Sequence, residues 1–111
     1  MADELEKPLG FRPAHPGEIL RLDILPALNM SVKDFAAHIG VSRNSASRLV
    51  NEKAAVSTEM AIRLGQAFRN GARFWLALQL QHDLWEEESR SQVHVDPLNW
   101  PVEGDPDPVA A

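Results

Sequence analysis

The sequence has no cysteine and no long apolar run. The first absence excludes disulfides, thiolate zinc sites and cysteine nucleophiles. The second excludes a membrane-spanning helix, which needs about 18 or more consecutive apolar residues. The N-terminus carries Asp3, Glu4 and Glu6 where a secretory signal would be basic. We therefore predict a cytoplasmic protein that does not associate with a membrane.

Signatures of catalysis are missing as well. Serine is plentiful, but no Gly-x-Ser-x-Gly nucleophile sequence accompanies it. His82 and Glu86 are four residues apart, a spacing that suits two metal ligands on one helix face, yet no third ligand follows at a supporting spacing. We predict no catalytic residue, no metal site and no cofactor, and the protein is not expected to be an enzyme.

Charge is distributed unevenly along the 111 residues, which are enough for one compact domain with tails. The net charge is −5, but residues 31–69 carry six basic and three acidic side chains between two acidic flanks. Because charge attraction is screened beyond about 8–10 Å at physiological salt, a local basic segment is sufficient to attract phosphates. The charge pattern therefore allows nucleic-acid binding through the middle of the chain.

Helical periodicity predicts an all-α fold with five helices. An arm over residues 1–15 precedes helix 1, which begins at Pro16 and runs to about Asn29. Pro26 lies inside this helix and is expected to kink or shorten it. His15 is expected to cap or orient the first turn. Four apolar side chains follow at helical spacing, namely Ile19, Leu22, Leu25 and Leu28.

Capping residues set the boundaries of the next helices. The predicted N-caps of helices 2, 3 and 4 are Ser31, Ser42 and Ser57. Gly40 is expected to end helix 2 in a left-handed conformation, which costs glycine no steric clash. Asn70 and Gly71 form a stop signal after helix 4. Helices 2 and 3 are therefore short and joined by a tight turn.

Helix 5, predicted from about Ala72 to Ser89, has more apolar positions than one face of a small domain can use. One face is expected to pack on the core and another to meet a second copy of the chain. The predicted dimer interface consists of Phe74, Trp75, Leu78, Leu80, Leu84 and Trp85. The predicted domain spans residues 16–91, and an acidic tail with four prolines over residues 92–111 is expected to be extended or disordered.

The segment from Val32 to Asn51 has the spacing of a helix-turn-helix unit, whose second helix enters the major groove of DNA. Arginine can bond guanine, and asparagine can bond adenine, through paired hydrogen bonds. The predicted DNA contacts are Ser42, Arg43, Asn44, Ser45, Ser47 and Arg48, with Asn51 and Lys53 directed to phosphates. This unit predicts sequence-specific DNA binding.

Residues 11–90 resemble the HigA antitoxin family within the Cro/lambda-repressor-like (XRE) group. The matching pieces are His15-Pro16-Gly17-Glu18-Ile19-Leu20, Val41-Ser42-Arg43 and Phe74-Trp75-Leu76. The resemblance implies five helices, a homodimer on a palindromic operator, repression of its own operon, and neutralisation of a HigB toxin similar to the RelE ribonucleases that cut messenger RNA. One departure is the loop Asn51-Glu52-Lys53-Ala54-Ala55, which is less basic than is usual in the family, so fewer phosphate contacts are expected there.

A self-repressing antitoxin is therefore the first hypothesis, with Leu9, Phe11 and helix 1 as predicted toxin contacts. Two alternatives remain. A stand-alone repressor would keep the DNA binding and lack a toxin partner. A protein-interaction module would keep the helix-turn-helix fold but would not bind DNA, even at low salt where phosphate contacts are strongest.

Overall fold

The computed structural model describes residues 12–100, and within that range all regular secondary structure is helical. This confirms the predicted all-α, five-helix fold. Helix α1 is one continuous run in three stretches, namely Pro16–Ile19, Leu20–Ile24 and Leu25–Ala27. The other helices are α2 (Val32–Ile39), α3 (Arg43–Val50), α4 (Thr58–Phe68) and α5 (Ala72–Arg90). Leu9 and Phe11, two of the predicted toxin contacts, lie outside the described residues.

The middle stretch of α1 is a π-helix, in which the Leu25 amide bonds to the Leu20 carbonyl five residues earlier. This wider turn lies directly before Pro26, which has no amide hydrogen to donate. The extra residue in the turn also changes the helical phase. Leu20 and Leu25 are buried, whereas Leu22 and Leu28 are more than half exposed. Two of the four apolar side chains at helical spacing, Leu22 and Leu28, therefore do not enter the core.

Side chains cap the first turns of four helices. Before α1, His15 Nδ1 accepts the Gly17 amide hydrogen at 2.9 Å. Ser31, Ser42 and Ser57 each accept a hydrogen from the backbone amide three residues later, at 3.0, 3.0 and 3.1 Å. Each of these bonds satisfies an amide that the helix itself leaves unpaired. All four predicted caps are confirmed.

The connection between α4 and α5 differs from the prediction. Arg69, rather than Asn70 or Gly71, takes the left-handed conformation that ends α4, at φ 58°. Asn70 Oδ1 instead accepts a hydrogen bond from Trp75 Nε1 at 2.8 Å. A Cβ added to Gly65 would lie 2.4 Å from the Gly71 carbonyl carbon. The two helices therefore approach each other at backbone distance, which only glycine at position 65 permits.

One apolar core joins all five helices. Its largest fully buried side chains include one from each helix, namely Leu20, Phe35, Leu49, Leu64 and Trp75. Phe68 lies between two of them, with ring centroids 6.4 Å from Phe35 and 5.7 Å from Trp75. Close packing of this kind makes the relative positions of the helices sensitive to the size of each side chain. The core therefore fixes how α3 is presented at the surface.

Gln79 is a buried polar residue that ties α5 to the loop between α3 and α4. Its Oε1 accepts the Val56 amide hydrogen at 2.8 Å. Its Nε2 donates to Asp83 Oδ1 at 2.9 Å, so both ends of the side-chain amide are paired. Because buried amides are costly to leave unpaired, this contact holds the loop in place.

Residues 91–100 follow α5 without regular secondary structure, and nearly all of them are exposed. Four apolar side chains in this stretch are each more than 60% exposed, namely Val93, Val95, Leu98 and Trp100. The part of the predicted tail that the structure describes thus has no regular secondary structure and is exposed to solvent. Within residues 12–100, no helix combines the length and the hydropathy that a bilayer crossing requires.

Replacing Gln79 by leucine is expected to leave the buried Val56 amide without an acceptor. The free energy of unfolding should fall by about 1–3 kcal/mol, measured by chemical denaturation. Gln81→Leu is the matched control, because Gln81 is exposed on the same helix. The control should change stability by less than about 0.5 kcal/mol. Equal losses in the two variants would contradict a specific role for the Gln79 bond.

Candidate nucleic-acid interface

Helices α2 and α3 form the helix-turn-helix unit. Gly40 ends α2 in the left-handed conformation, with φ 75° and ψ 35°, and the Val41 amide bonds back to the Ala36 carbonyl at 3.0 Å. Arg63 Nη1 of α4 donates to the Ile39 carbonyl at 2.7 Å and holds the end of α2. The inward side chains of α3 are almost fully buried, namely Ala46, Leu49 and Val50. The turn is therefore held by Arg63 at the end of α2 and by the buried side chains of α3.

The outward side of α3 and the loop that follows it carry the predicted DNA contacts. Seven of them are exposed and Ser47 is half-buried, the seven being Ser42, Arg43, Asn44, Ser45, Arg48, Asn51 and Lys53. Arg43 and Asn44 lie in the first turn of α3. Their side chains make no hydrogen bond or ion pair with another residue in the part of the chain that the structure describes. Both side chains can therefore bond a ligand without breaking an internal bond.

The other predicted contacts are partly engaged within the chain. Ser42 Oγ donates to Ser45 Oγ at 3.0 Å while capping α3. Asn51 Nδ2 donates to the Ser47 carbonyl at 2.9 Å. A third bond, at 3.2 Å, runs from Arg48 Nη2 to the carbonyl of Lys53. These bonds order α3 and its following loop before any ligand is bound.

An arginine of α1 supports the end of α3, and no local sequence pattern indicates this contact. Arg21 Nη1 donates to the Val50 carbonyl at 2.5 Å, and Arg21 Nη2 pairs with Glu52 at 3.1 Å. Glu52 follows α3 with φ 61°, a left-handed conformation that is uncommon outside glycine. The partners are about 30 residues apart in the chain, so only the fold brings them together.

The predicted dimer residues on α5 differ in their exposure to solvent. Phe74, Leu80 and Leu84 are 47%, 64% and 50% exposed, whereas Leu78 and Trp85 are half-buried. Trp75 corrects the prediction, because it is fully buried in the core of a single chain and cannot meet a partner at the surface. Three apolar side chains of α5 therefore remain exposed and available to a partner, namely Phe74, Leu80 and Leu84.

A cluster of polar residues joins the segment before α1 to α5. The buried rings of His15 and His82 meet edge to face, with centroids 5.0 Å apart. Arg12 Nη2 donates to His82 Nε2 at 2.9 Å, and Arg12 Nε pairs with Glu86 at 2.5 Å. This hydrogen bond from Arg12 holds the pKa of Glu86 below its usual value. His82 and Glu86, considered above as metal ligands, are here partners of an arginine.

Metal ligation finds no support in the described range. Within residues 12–100 no group of three histidine, aspartate or glutamate side chains is close enough to hold an ion. The exposed surface of α3 instead carries arginine, asparagine and serine side chains, and the loop after it carries Asn51 and Lys53. Side chains of these types can bond to bases and phosphates.

This geometry defines a helix-turn-helix protein whose second helix presents polar side chains to a ligand. The helix-turn-helix (HTH_3) family profile matches residues 20–74. The chain belongs to the XRE-type helix-turn-helix family, which includes HigA antitoxins.

Two sequence relatives and one solved structure illustrate the relationship. The chain is 41% identical over 82 residues to the transcriptional regulator YbaQ of Escherichia coli, covering 74% of this chain and 73% of YbaQ. It is 36% identical over 81 residues to antitoxin HigA-1 of Vibrio cholerae, covering 73% and 76%. The Pseudomonas aeruginosa antitoxin HigA, solved with the higBA promoter, is 35% identical with a TM-score of 0.69, covering 78% of this chain and 99% of that one. These matches confirm the family predicted by resemblance.

Stability is expected to depend on pH through His15. Burial and the neighbouring His82 hold the pKa of His15 below its usual value of 6.5, so the folded protein favours the neutral ring. The neutral Nδ1 also accepts the Gly17 amide hydrogen, which a protonated ring cannot do. The contribution of His15 should therefore be complete above pH 6.5 and be lost as the pH falls through the lowered pKa. Thermal unfolding between about pH 5 and pH 8 measures this loss.

His15→Asn keeps an acceptor for the cap and removes the titration, so it should flatten this acid-side decrease whatever its effect on stability at neutral pH. His38→Asn is the control, because His38 is exposed on α2. A decrease of the same steepness in wild type and His15→Asn would assign the pH dependence to other groups.

Proposed function

We propose that this protein is an antitoxin that represses its own operon, binding a palindromic operator as a homodimer and neutralising a HigB/RelE-like toxin. The observation that carries the proposal is the exposed first turn of α3, where Arg43 and Asn44 have no internal partners among residues 12–100. Support comes from relatives whose names describe antitoxins and from the Pseudomonas aeruginosa HigA solved with promoter DNA. Such activity takes place at the chromosome, which is consistent with a cytoplasmic protein.

In this proposal Arg43 and Asn44 contact bases, and the neighbouring serines and Arg48 complete the recognition surface. Asn51 and Lys53 in the following loop contact phosphates, which fix the position of the protein on the duplex and carry little sequence information. The internal bonds of Ser42, Asn51 and Arg48 support this division of roles, because they orient the groups before binding.

The exposed apolar side chains of α5 support the homodimer. Phe74, Leu80 and Leu84 each expose apolar surface that a second copy of the chain would cover, and Leu78 and Trp85 on the same helix are half-buried. A dimer on a palindrome places its two recognition helices about 34 Å apart, which is one turn of DNA.

The proposed toxin contact is the outer surface of α1. Leu22 on α1 and Leu28, the residue directly after it, are both more than half exposed. Apolar residues exposed on a helix are a common feature of protein interfaces. These residues are separate from α3, the recognition helix, so DNA and toxin bind to different surfaces in this proposal.

Arg43→Ala is expected to weaken binding to the protein's own promoter by roughly 5- to 150-fold, which corresponds to about 1–3 kcal/mol for one bidentate base contact. Fluorescence anisotropy at fixed salt measures the Kd, and circular dichroism verifies that the fold is intact. Arg90→Ala is the control, because it removes the same charge at the end of α5. An unchanged Kd for Arg43→Ala would exclude Arg43 from base readout.

The antitoxin role predicts a stable complex with the product of a neighbouring reading frame. Co-expression of the tagged chain with its genomic neighbours should recover a small basic protein in stoichiometric amount, and Leu22→Asp in α1 should weaken that complex while leaving promoter binding intact. Recovery of a homodimer alone that still binds its promoter would favour the alternative of a stand-alone repressor. That alternative has its own support, because YbaQ is described as a transcriptional regulator.

A further inference from the structure

An acidic side chain lies within the loop that the proposed function assigns to DNA phosphates. Glu52 is placed between the two predicted phosphate contacts, Asn51 and Lys53, directly after the recognition helix. A carboxylate close to phosphates repels them, and it also cancels the attraction of a neighbouring lysine. The sequence of this loop therefore opposes the function proposed for it unless the charge of Glu52 is compensated.

The structure brings two arginines to Glu52, one to each carboxylate oxygen. Arg21 Nη2 lies 3.1 Å from Oε2, and Arg12 Nη2 lies 3.9 Å from Oε1. The Glu52 side chain is only 24% exposed, so these interactions are screened less than those of a fully exposed pair. Glu52 is thus held between two cations from α1 and from the segment before it.

The two arginines differ in how they are anchored. Arg21 also donates to the Val50 carbonyl, so it supports the backbone at the end of α3 as well as the charge. Within residues 12–100 Arg12 makes no hydrogen bond or ion pair with α3, and it is held instead by Glu86 and His82 of α5. Its side chain is 46% exposed. Arg12 can therefore be removed without disturbing the backbone of the recognition helix.

We propose that Arg12 is a positioning residue for operator binding, which acts by neutralising Glu52 and so keeps the loop after α3 attractive to phosphate. This inference rests on the proposed operator binding and deepens it. In the proposed mechanism Arg12 does not touch DNA; its effect passes through Glu52. The contacts with Glu86 and His82 hold its guanidinium at the required place, so α5 contributes to the electrostatics of the loop.

The experiment is a double-mutant cycle on the full chain with its own promoter DNA at fixed salt. Arg12→Gln should weaken binding by about 2- to 30-fold for the dimer, because one uncompensated Glu52 carboxylate in each subunit then repels phosphate with the strength typical of partly exposed charges. Glu52→Gln should bind at least as tightly as wild type. In the Glu52→Gln background, Arg12→Gln should change the Kd by less than about 2-fold, because no charge remains to be neutralised.

Two further variants separate positioning from a general loss of charge or fold. Arg12→Lys keeps the positive charge and should retain most of the wild-type affinity for the promoter. A purely structural role of the guanidinium group would not predict this result. Arg90→Gln removes an arginine paired with Glu87 at the far end of α5, and it should leave the Kd unchanged. Circular dichroism of each variant verifies the fold.

The results that would overturn the proposal are distinct. An unchanged Kd for Arg12→Gln, or weaker binding by Glu52→Gln alone, contradicts it. An equal loss from Arg12→Gln with and without Glu52 would mean that Arg12 contacts DNA itself. If wild type fails to bind its promoter, the proposed function fails and this inference fails with it. Wild-type binding without coupling between Arg12 and Glu52 defeats this inference alone.

Discussion

The position of the recognition helix depends on a backbone contact between α1 and α3. A Cβ on Gly17 would lie 1.9 Å from the Leu49 carbonyl oxygen, so only glycine allows the first turn of α1 to approach this closely. The same turn is capped by His15, whose ring packs on His82 of α5. Because α3 is held on its inward side by backbone and by small or aliphatic side chains, its outward side is left for polar groups that need not stabilise the fold.

Local features of the fold were predictable from the sequence because each is specified within a few residues. A serine before an apolar run caps the following helix, and a glycine after such a run ends it, as Ser42 and Gly40 do here. The π-helical turn before Pro26 could not be predicted, because a period of 3.6 residues does not anticipate it. For Trp75, periodicity could identify an apolar face of α5. It could not show whether that face packs on the core of the same chain or on a second copy.

The polar contacts around the candidate site were not predictable, although their residues are plain in the sequence. Arg12 and Glu86 are 74 positions apart, and no spacing rule relates them. What could be predicted was the chemical character of α3, since arginine, asparagine and serine on an outward face can bond to bases and phosphates. The negative net charge was a poor guide, because pairing within the fold decides which carboxylates a ligand meets. Glu52 shows this most clearly, being acidic in sequence and compensated in structure.

The exposed apolar side chains of α5 have a consequence for the proposed homodimer. Three large apolar side chains of this helix are about half exposed or more, namely Phe74, Leu80 and Leu84. A dimer assembles by mass action, so below its dissociation constant the dimer concentration varies with the square of the chain concentration. In the proposed repressor, cell growth that halves the chain concentration then lowers the dimer concentration by up to about fourfold, and the operator is released sooner than a monomeric repressor would release it.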